Sequence, residues 1–215
     1  MRVMVANNSS AIVMELAAKF PERIGWLQGP SSWKNPRPGL AYALDNDAFG
    51  AWKNHLPWDE SAWIKMLDKA SRSQQQPLWS LVPDVVADRT ATLRSWDKHS
   101  PTVESFGFQK ALAVQDGMTP LDVPINADLI FVGGTTQWKW RSLPMWAKHF
   151  PAVHVGRVRQ TKLMRCLQLG VQSCDGTGWI REGQTGAPAR FLRAYVEGFM
   201  QPHPELFSSP HFKKD

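Results

Sequence analysis

The chain has 215 residues, 43% hydrophobic and 20% charged, with a formal net charge of +6. That is enough apolar sequence for one packed domain and too much for intrinsic disorder, and no run approaches the roughly 20 apolar residues of a membrane-spanning helix. The start, MRVMVANNSS, lacks a signal peptide's apolar core, and two cysteines (Cys166 and Cys174) build neither a disulfide framework nor a four-cysteine zinc site, so a reducing cytoplasmic setting is expected.

In chain order, the first apolar run is Arg2–Ala6, a predicted strand. Ser9 or Ser10 then caps a helix predicted over Ala11–Phe20, with Ile12, Leu16, Ala17 and Phe20 on one face. IGWL around Gly25 is a weaker strand. Gly29–Gly39, dense in Gly, Pro, Ser and Asn, reads as an ordered loop over one end of the fold. Ala41–Leu44 is the next strand, followed by a helix over Ser61–Ser71 carrying Trp63, Ile64 and Leu67. Strands at Leu78–Val82 and Ala111–Val114 flank a helix over Thr90–Lys98 with Leu93 and Trp96. Leu129–Val132 leads into a tryptophan-rich, basic segment, Gln137–Arg141, read as a loop. Ala152–Val155, a helix over Thr161–Leu169 and a strand at Val171–Cys174 follow. Pro188 opens a last helix ending near Met200, with Phe191, Leu192, Tyr195 and Phe199 inward; the tail 201–215 is polar and basic and expected to be loosely attached.

Eight buried-type strands alternating with helices predict an α/β protein, a compact (β/α)8 TIM barrel over residues 1–200. A doubly wound open sheet is the alternative. In a parallel barrel the functional groups stand at the carboxyl ends of the strands. Here Ala41–Leu44 is followed by Asp45, Leu78–Val82 by Pro83-Asp84, and Ala111–Val114 by Gln115-Asp116-Gly117. Leu129–Val132 is followed by Gly133-Gly134, and Val171–Cys174 by Asp175-Gly176-Thr177-Gly178. Two carboxylates across a sugar serve a retaining glycosyl transfer as nucleophile and acid/base, and a third with an amide reads a purine's polar edge. A glycine pair brings backbone close to a flat ligand, or holds a phosphate.

The basic balance suits a polyanionic partner. Of eleven tryptophans, several adjoin cations, as in Trp52-Lys53 and Trp138-Lys139-Trp140-Arg141, the pairing with which proteins stack unpaired bases and hold phosphates; core packing is the alternative for any one indole. Arg157 suits a phosphate or ribose near the mouth, or a structural salt bridge. Six histidines show no ligand-like pairing, and no metal site is expected.

The order LDNDAF, PDVVAD, VQDG, VGG and GVQSCD, running from about Tyr42 to Gly178, resembles the tRNA-guanine transglycosylase superfamily. VPDVVAD and HVGR (His154–Arg157) are more similar to its phage and bacterial branch that inserts 7-deazaguanines into DNA. The resemblance implies Asp175 as the nucleophile that displaces guanine and Asp45 as the carboxylate that handles the base's proton. It implies Asp84 as the acid that binds the guanine N–H edge, with Asp88 as the competing register. Gln115 and the glycine pair Gly133-Gly134 would contact the base carbonyl. Phe49 would stack near the base, Asn46 would shape the pocket beside Asp45, and Thr135 would stand beside the 7-substituent. Partners would be DNA and a free 7-deazaguanine base such as preQ0 (7-cyano-7-deazaguanine), with no cofactor. Trp138, Lys139, Trp140, Arg141 and Arg157 would meet the nucleic acid.

Two departures bear on this. No cysteine follows Cys174, so the C-terminal zinc-binding subdomain of the tRNA enzymes is missing, which favours DNA over tRNA. Asn46-Asp47-Ala48 replaces the family's usual glycine pair. A tRNA-guanine transglycosylase or free-nucleoside base-exchange enzyme, and a non-catalytic nucleic-acid-binding barrel, are the alternative readings.

Overall fold

Strand residues alternate between two apolar environments, and that alternation organises the molecule. The computed structural model describes residues 1–6 and 10–199. Eight strands, β1 (Arg2–Ala6), β2 (Ile24–Gln28), β3 (Tyr42–Leu44), β4 (Ser80–Leu81), β5 (Lys110–Val114), β6 (Leu129–Val132), β7 (Val153–Val155) and β8 (Ser173–Gly176), pair in sequence order as a closed parallel barrel. Pairing of β1 with both β2 and β8 closes the ring, with Val3 opposite Ile24 on one side and Cys174 on the other.

The helices are α1 (Ala11–Lys19), α2 (Ala48–Lys53), α3 (Glu60–Ser71), α4 (Arg89–Ser105), α5 (Thr136–His149), α6 (Gln160–Gln168) and α7 (Ala187–Val196). Outward strand residues such as Val3, Val5, Tyr42, Leu112, Ile130, Val153 and Cys174 pack in one cluster with the apolar helix faces. Met4, Leu27, Ala43, Trp79, Leu81, Ala111, Ala113 and Leu129 form a second cluster, with Phe131 packed against it, that fills the barrel interior. Small residues at Gly25, Ala43, Ala111 and Ala113 leave room there for Trp79 and Phe131, whose rings meet edge to face at 6.1 Å.

The structure bears out the (β/α)8 expectation, with local differences. The predicted strand Leu78–Val82 shrinks to Ser80–Leu81 before Pro83, although Leu78 N–H still donates to Tyr42 O and Val82 N–H to Ala111 O. The last strand lies two residues later than predicted, so Asp175 belongs to β8 itself. The β2–β3 and β5–β6 connections carry only 3-10 turns, Pro30–Ser32 and Pro120–Asp122. The segment read as a loop, Gln137–Arg141, is the first half of α5. Lys139 on its buried face and Pro144 in its middle both masked the helical pattern. On α3, Ile64 is exposed, and Met66 and Ala70 join Trp63 and Leu67 inside. Phe199, expected to face inward, lies past the end of α7 and is exposed. Ser10 occupies the N-cap position of α1. Ser9, Met200 and the tail 201–215 lie outside the described residues.

No helix among the described residues is long and apolar enough to cross a membrane. Seven of the eleven tryptophans are buried, three are half-buried and one, Trp52, is exposed. Indoles are thus mainly core material here.

Candidate active site

The strand alternation that fills the interior also delivers polar side chains to its upper rim. Two residues above Ala43 stands Asp45, above Ala113 stands Gln115, above Phe131 stands Gly133, and above Ser173 stands Asp175. With Asp84, which follows β4, they line a cavity of about 620 Å³ at the carboxyl-end mouth, a size typical of small-molecule sites.

Asp175 is 6% exposed. Its Oδ1 lies 3.0 Å from His154 Nε2 and accepts the Arg157 backbone N–H at 3.2 Å. His154, fully buried on β7, reaches Ser173 Oγ at 2.8 Å through Nδ1. Trp79 edge-on and Phe131 stacked at 4.8 Å fix its ring plane. A carboxylate oxygen only accepts, so Nε2 carries the proton in this arrangement. Both donors converge on Oδ1, and none among the described residues engages Oδ2. Arg157 holds φ at +57°, a left-handed conformation that costs a non-glycine residue about 1–2 kcal/mol. Its guanidinium donates to Gly134 O at 2.5 Å and covers the Phe49 ring at 3.9 Å.

Asp84 is gripped by two amides. Asn46 Nδ2 donates to Oδ1 at 2.7 Å, and Gln115 Nε2 to Oδ2 at 2.7 Å. Asn46 is itself tied to Val82 O and to the Ala48 N–H, while Gln115 Oε1 accepts from Ala87 N. Burial pushes the Asp84 carboxyl up to about 6, against the pull of the Asn46 amide and of the Arg157 charge. Asp45 accepts the Asn46 N–H at 2.7 Å. Burial first, then the charges of Asp47, Asp175 and Asp84, push its carboxyl up to about 8. Two acids in one cavity thus have separated proton affinities, a pattern that marks candidate acid/base sites.

Nine of the residues singled out from sequence line this cavity: Asp45, Asn46, Phe49, Asp84, Gln115, Gly133, Gly134, Arg157 and Asp175. Others stand elsewhere. Asp88 is exposed and caps α4, accepting from Ala91 N at 2.9 Å, which removes it as the competing base reader. Thr135 is exposed and outside the cavity lining; its N–H and hydroxyl both donate to Asp116, so it does not stand beside a bound base. Trp138 (8% exposed) and Lys139 (1%) are core residues of α5, not a nucleic-acid contact. The Lys139 ammonium donates to Gly156 O, and burial lowers its pKa to about 8. Trp140 is half-buried with Arg165 donating to its carbonyl, and Arg141 is exposed; neither lines the mouth.

Sequence reasoning left His154 without a role, although strand alternation alone turns it inward beside Asp175. It also passed over Phe131, Arg159 and Arg181, which line the cavity. Among the described residues, no group of three or more His, Cys, Asp or Glu is disposed to hold a metal ion.

No protein-family model matches the chain, and no curated protein matches it. Among solved structures, the chain is similar to 3-hexulose-6-phosphate synthase from Salmonella typhimurium, with TM-score 0.55 and 12% identity over 94% of this chain and 100% of that one. N-(5'-phosphoribosyl)anthranilate isomerase from Pyrococcus furiosus aligns at TM-score 0.48 and 14% identity over 92% of this chain and 97% of that one. At 12% identity the likeness to the synthase is one of fold alone.

Proposed function

We propose that this barrel is a base-exchange transglycosylase that replaces guanine in DNA by a 7-deazaguanine such as preQ0. The observation that carries the reading is the disposition of Asp175. Its Oδ1 is held by two donors and its Oδ2 is unengaged, in the same cavity as a high-pKa carboxyl (Asp45) and a doubly gripped carboxylate (Asp84).

In the first step Asp175 Oδ2 attacks C1′ of the target nucleotide. The C1′–N9 bond breaks, the electron pair leaves with guanine, and Asp45, protonated at neutral pH, gives that base its proton. In the second step Asp45, now ionised, takes the N9 proton of the incoming 7-deazaguanine. N9 attacks C1′ from the vacated face and the ester to Asp175 opens, restoring both carboxyl groups. Two inversions give net retention. One glycosidic bond replaces another, so no cofactor is required.

Asp84 accepts from the N–H edge of the base, with its orientation set by Asn46 and Gln115. Gln115 Nε2 keeps a second N–H for the base carbonyl, beside the backbone of Gly133 and Gly134. The target base must leave its stack at a cost of a few kcal/mol, which a cavity open at the barrel mouth and lined by Phe49 helps to offset. DNA is preferred to tRNA on the likeness of VPDVVAD and HVGR to the DNA-modifying branch. Two free, buried cysteines suit a cytoplasmic setting, the host's if the chain is phage-borne.

The test is intact-protein mass spectrometry after incubation with a guanine-containing DNA strand and no acceptor base. A covalent adduct on the wild type that is missing in Asp175→Asn supports the reading. An adduct retained in Asp175→Asn contradicts it.

A further inference from the structure

Helix α2 carries a pair of aromatic rings from the cavity wall to solvent. At its inner end Phe49 lines the cavity beneath the Arg157 guanidinium, 3.9 Å from the ring centroid. Trp52, one helical turn on, lies 5.7 Å from Phe49 with a 35° tilt between the rings. Trp52 is 51% exposed and is the one exposed tryptophan among eleven. The chain beyond it stays on the surface through Pro57, and Leu56 is 62% exposed. A protein that buries its other indoles wholly or partly leaves this one in water at the edge of its site.

The surroundings are cationic. Lys53, Arg159 and Arg181 are exposed and line the same mouth. Of the two rim acids, Asp47 is committed to the Ser31 N–H at 2.8 Å, and only Glu182 is exposed. An exposed aromatic face bordered by cations, one helical turn from a ring that lines the cavity, fits an unpaired nucleic-acid strand. Extruding one nucleotide leaves its neighbour without a stacking partner, and an indole supplies a sequence-tolerant replacement.

We propose that Trp52 is the stacking platform for the nucleotide adjoining the one in the cavity, with Lys53, Arg159 and Arg181 holding the backbone phosphates. This rests on the base-exchange reading for the identity of the bound nucleotide. Of the tryptophan–cation pairs the sequence offers, it assigns the nucleic-acid interface to Trp52-Lys53 on α2 rather than to the α5 segment.

The experiment is fluorescence anisotropy with a short fluorescein-labelled, guanine-containing single strand of DNA, over a salt series. Trp52→Ala is expected to weaken binding roughly tenfold with an unchanged salt slope, and Trp52→Phe to retain most of the affinity. Lys53→Ala should lower the slope of log K against log salt by about 0.7. Titration with preQ0 alone should give the wild-type affinity in both Trp52 variants, since Trp52 lies outside the cavity lining. Strand binding that is absent in the wild type, or indifferent to Trp52→Ala, overturns the proposal. So does sedimentation showing a wild-type dimer that Trp52→Ala dissolves while strand affinity holds, since Trp52 and Leu56 would then face a second copy. Trp52-dependent strand binding without base exchange would uphold the surface and sink the catalytic reading alone.

Discussion

His154 Nε2 lies 3.0 Å from Asp175 Oδ1, and the same ring reaches Ser173 Oγ at 2.8 Å, so one histidine on β7 bridges two inward residues of β8. The three side chains have the composition of a hydrolase triad in inverted order. The carboxylate faces the cavity, and the serine lies a layer below it, outside the cavity lining. The histidine therefore orients the carboxylate rather than activating the hydroxyl.

Removing that support should leave the Asp175 carboxylate held by the Arg157 backbone N–H alone. His154→Phe keeps the aromatic packing against Trp79 and loses the donor. We expect kcat to fall on the order of 10–100-fold with KM for the deazaguanine nearly unchanged, by analogy with residues that orient metal ligands. His154→Gln, which restores an N–H donor, should recover part of the loss. Ser173→Ala should have the smaller effect. Steady-state base exchange with each variant checks the order.

The separated acids set a pH window. Asp84 must be ionised to accept from the base, so activity should fall as pH drops below about 6. Asp45 must be protonated to release guanine, so activity should fall as pH rises above about 8. The kcat/KM profile should be bell-shaped between those limits. Its upper limb should move in Asp47→Asn, because the Asp47 charge helps to raise Asp45.

Stability carries the opposite sign from the usual carboxylate. A carboxyl whose folded pKa is raised binds more protons folded than unfolded between pH 3.8 and about 8, so its contribution worsens as pH rises through that span. Asp45→Asn removes the penalty. Its Tm should exceed wild type by several degrees at pH 8, with the difference shrinking towards pH 4, while base exchange is lost. Differential scanning fluorimetry across pH reads this directly; a variant less stable at pH 8 would contradict it.

Gly134 holds φ at +71°, and a Cβ there would stand 2.5 Å from Asp116 Oδ2 and 2.8 Å from the Trp138 ring. Gly134→Ala should cost about 1 kcal/mol in backbone conformation alone, and more through the displaced Asp116–Thr135 contact at the start of α5. We expect a lower Tm together with weaker preQ0 binding by calorimetry.

The barrel was legible in the sequence because its strands are buried on both faces and read as unbroken apolar runs, and because acids close several of them. Asp45, Asp84, Gln115 and Asp175 stood out as polar residues at such boundaries, and the structure brings them to one mouth. Asp84 and Asp88 are equivalent in sequence; they separate only because Asp88 caps α4. His154 was obscured by its neighbours, since Val153 and Val155 mark an ordinary strand and its partner lies 21 residues away. The tryptophan cluster of α5 misled for a related reason. Adjacency to a cation in sequence does not reveal which side of a helix meets solvent, and in α5 it is the Trp138-Lys139 side that is buried.

The most direct test is release of labelled guanine from DNA in the presence of preQ0, with tRNA in parallel and with Asp175→Asn as the control. Base exchange at Asp175 predicts release from DNA, stoichiometric uptake of preQ0 and no turnover in Asp175→Asn. Release from tRNA alone would contradict the choice of polymer. Firm strand binding with no release from either would contradict base exchange itself and leave a barrel that binds nucleic acid without transforming it.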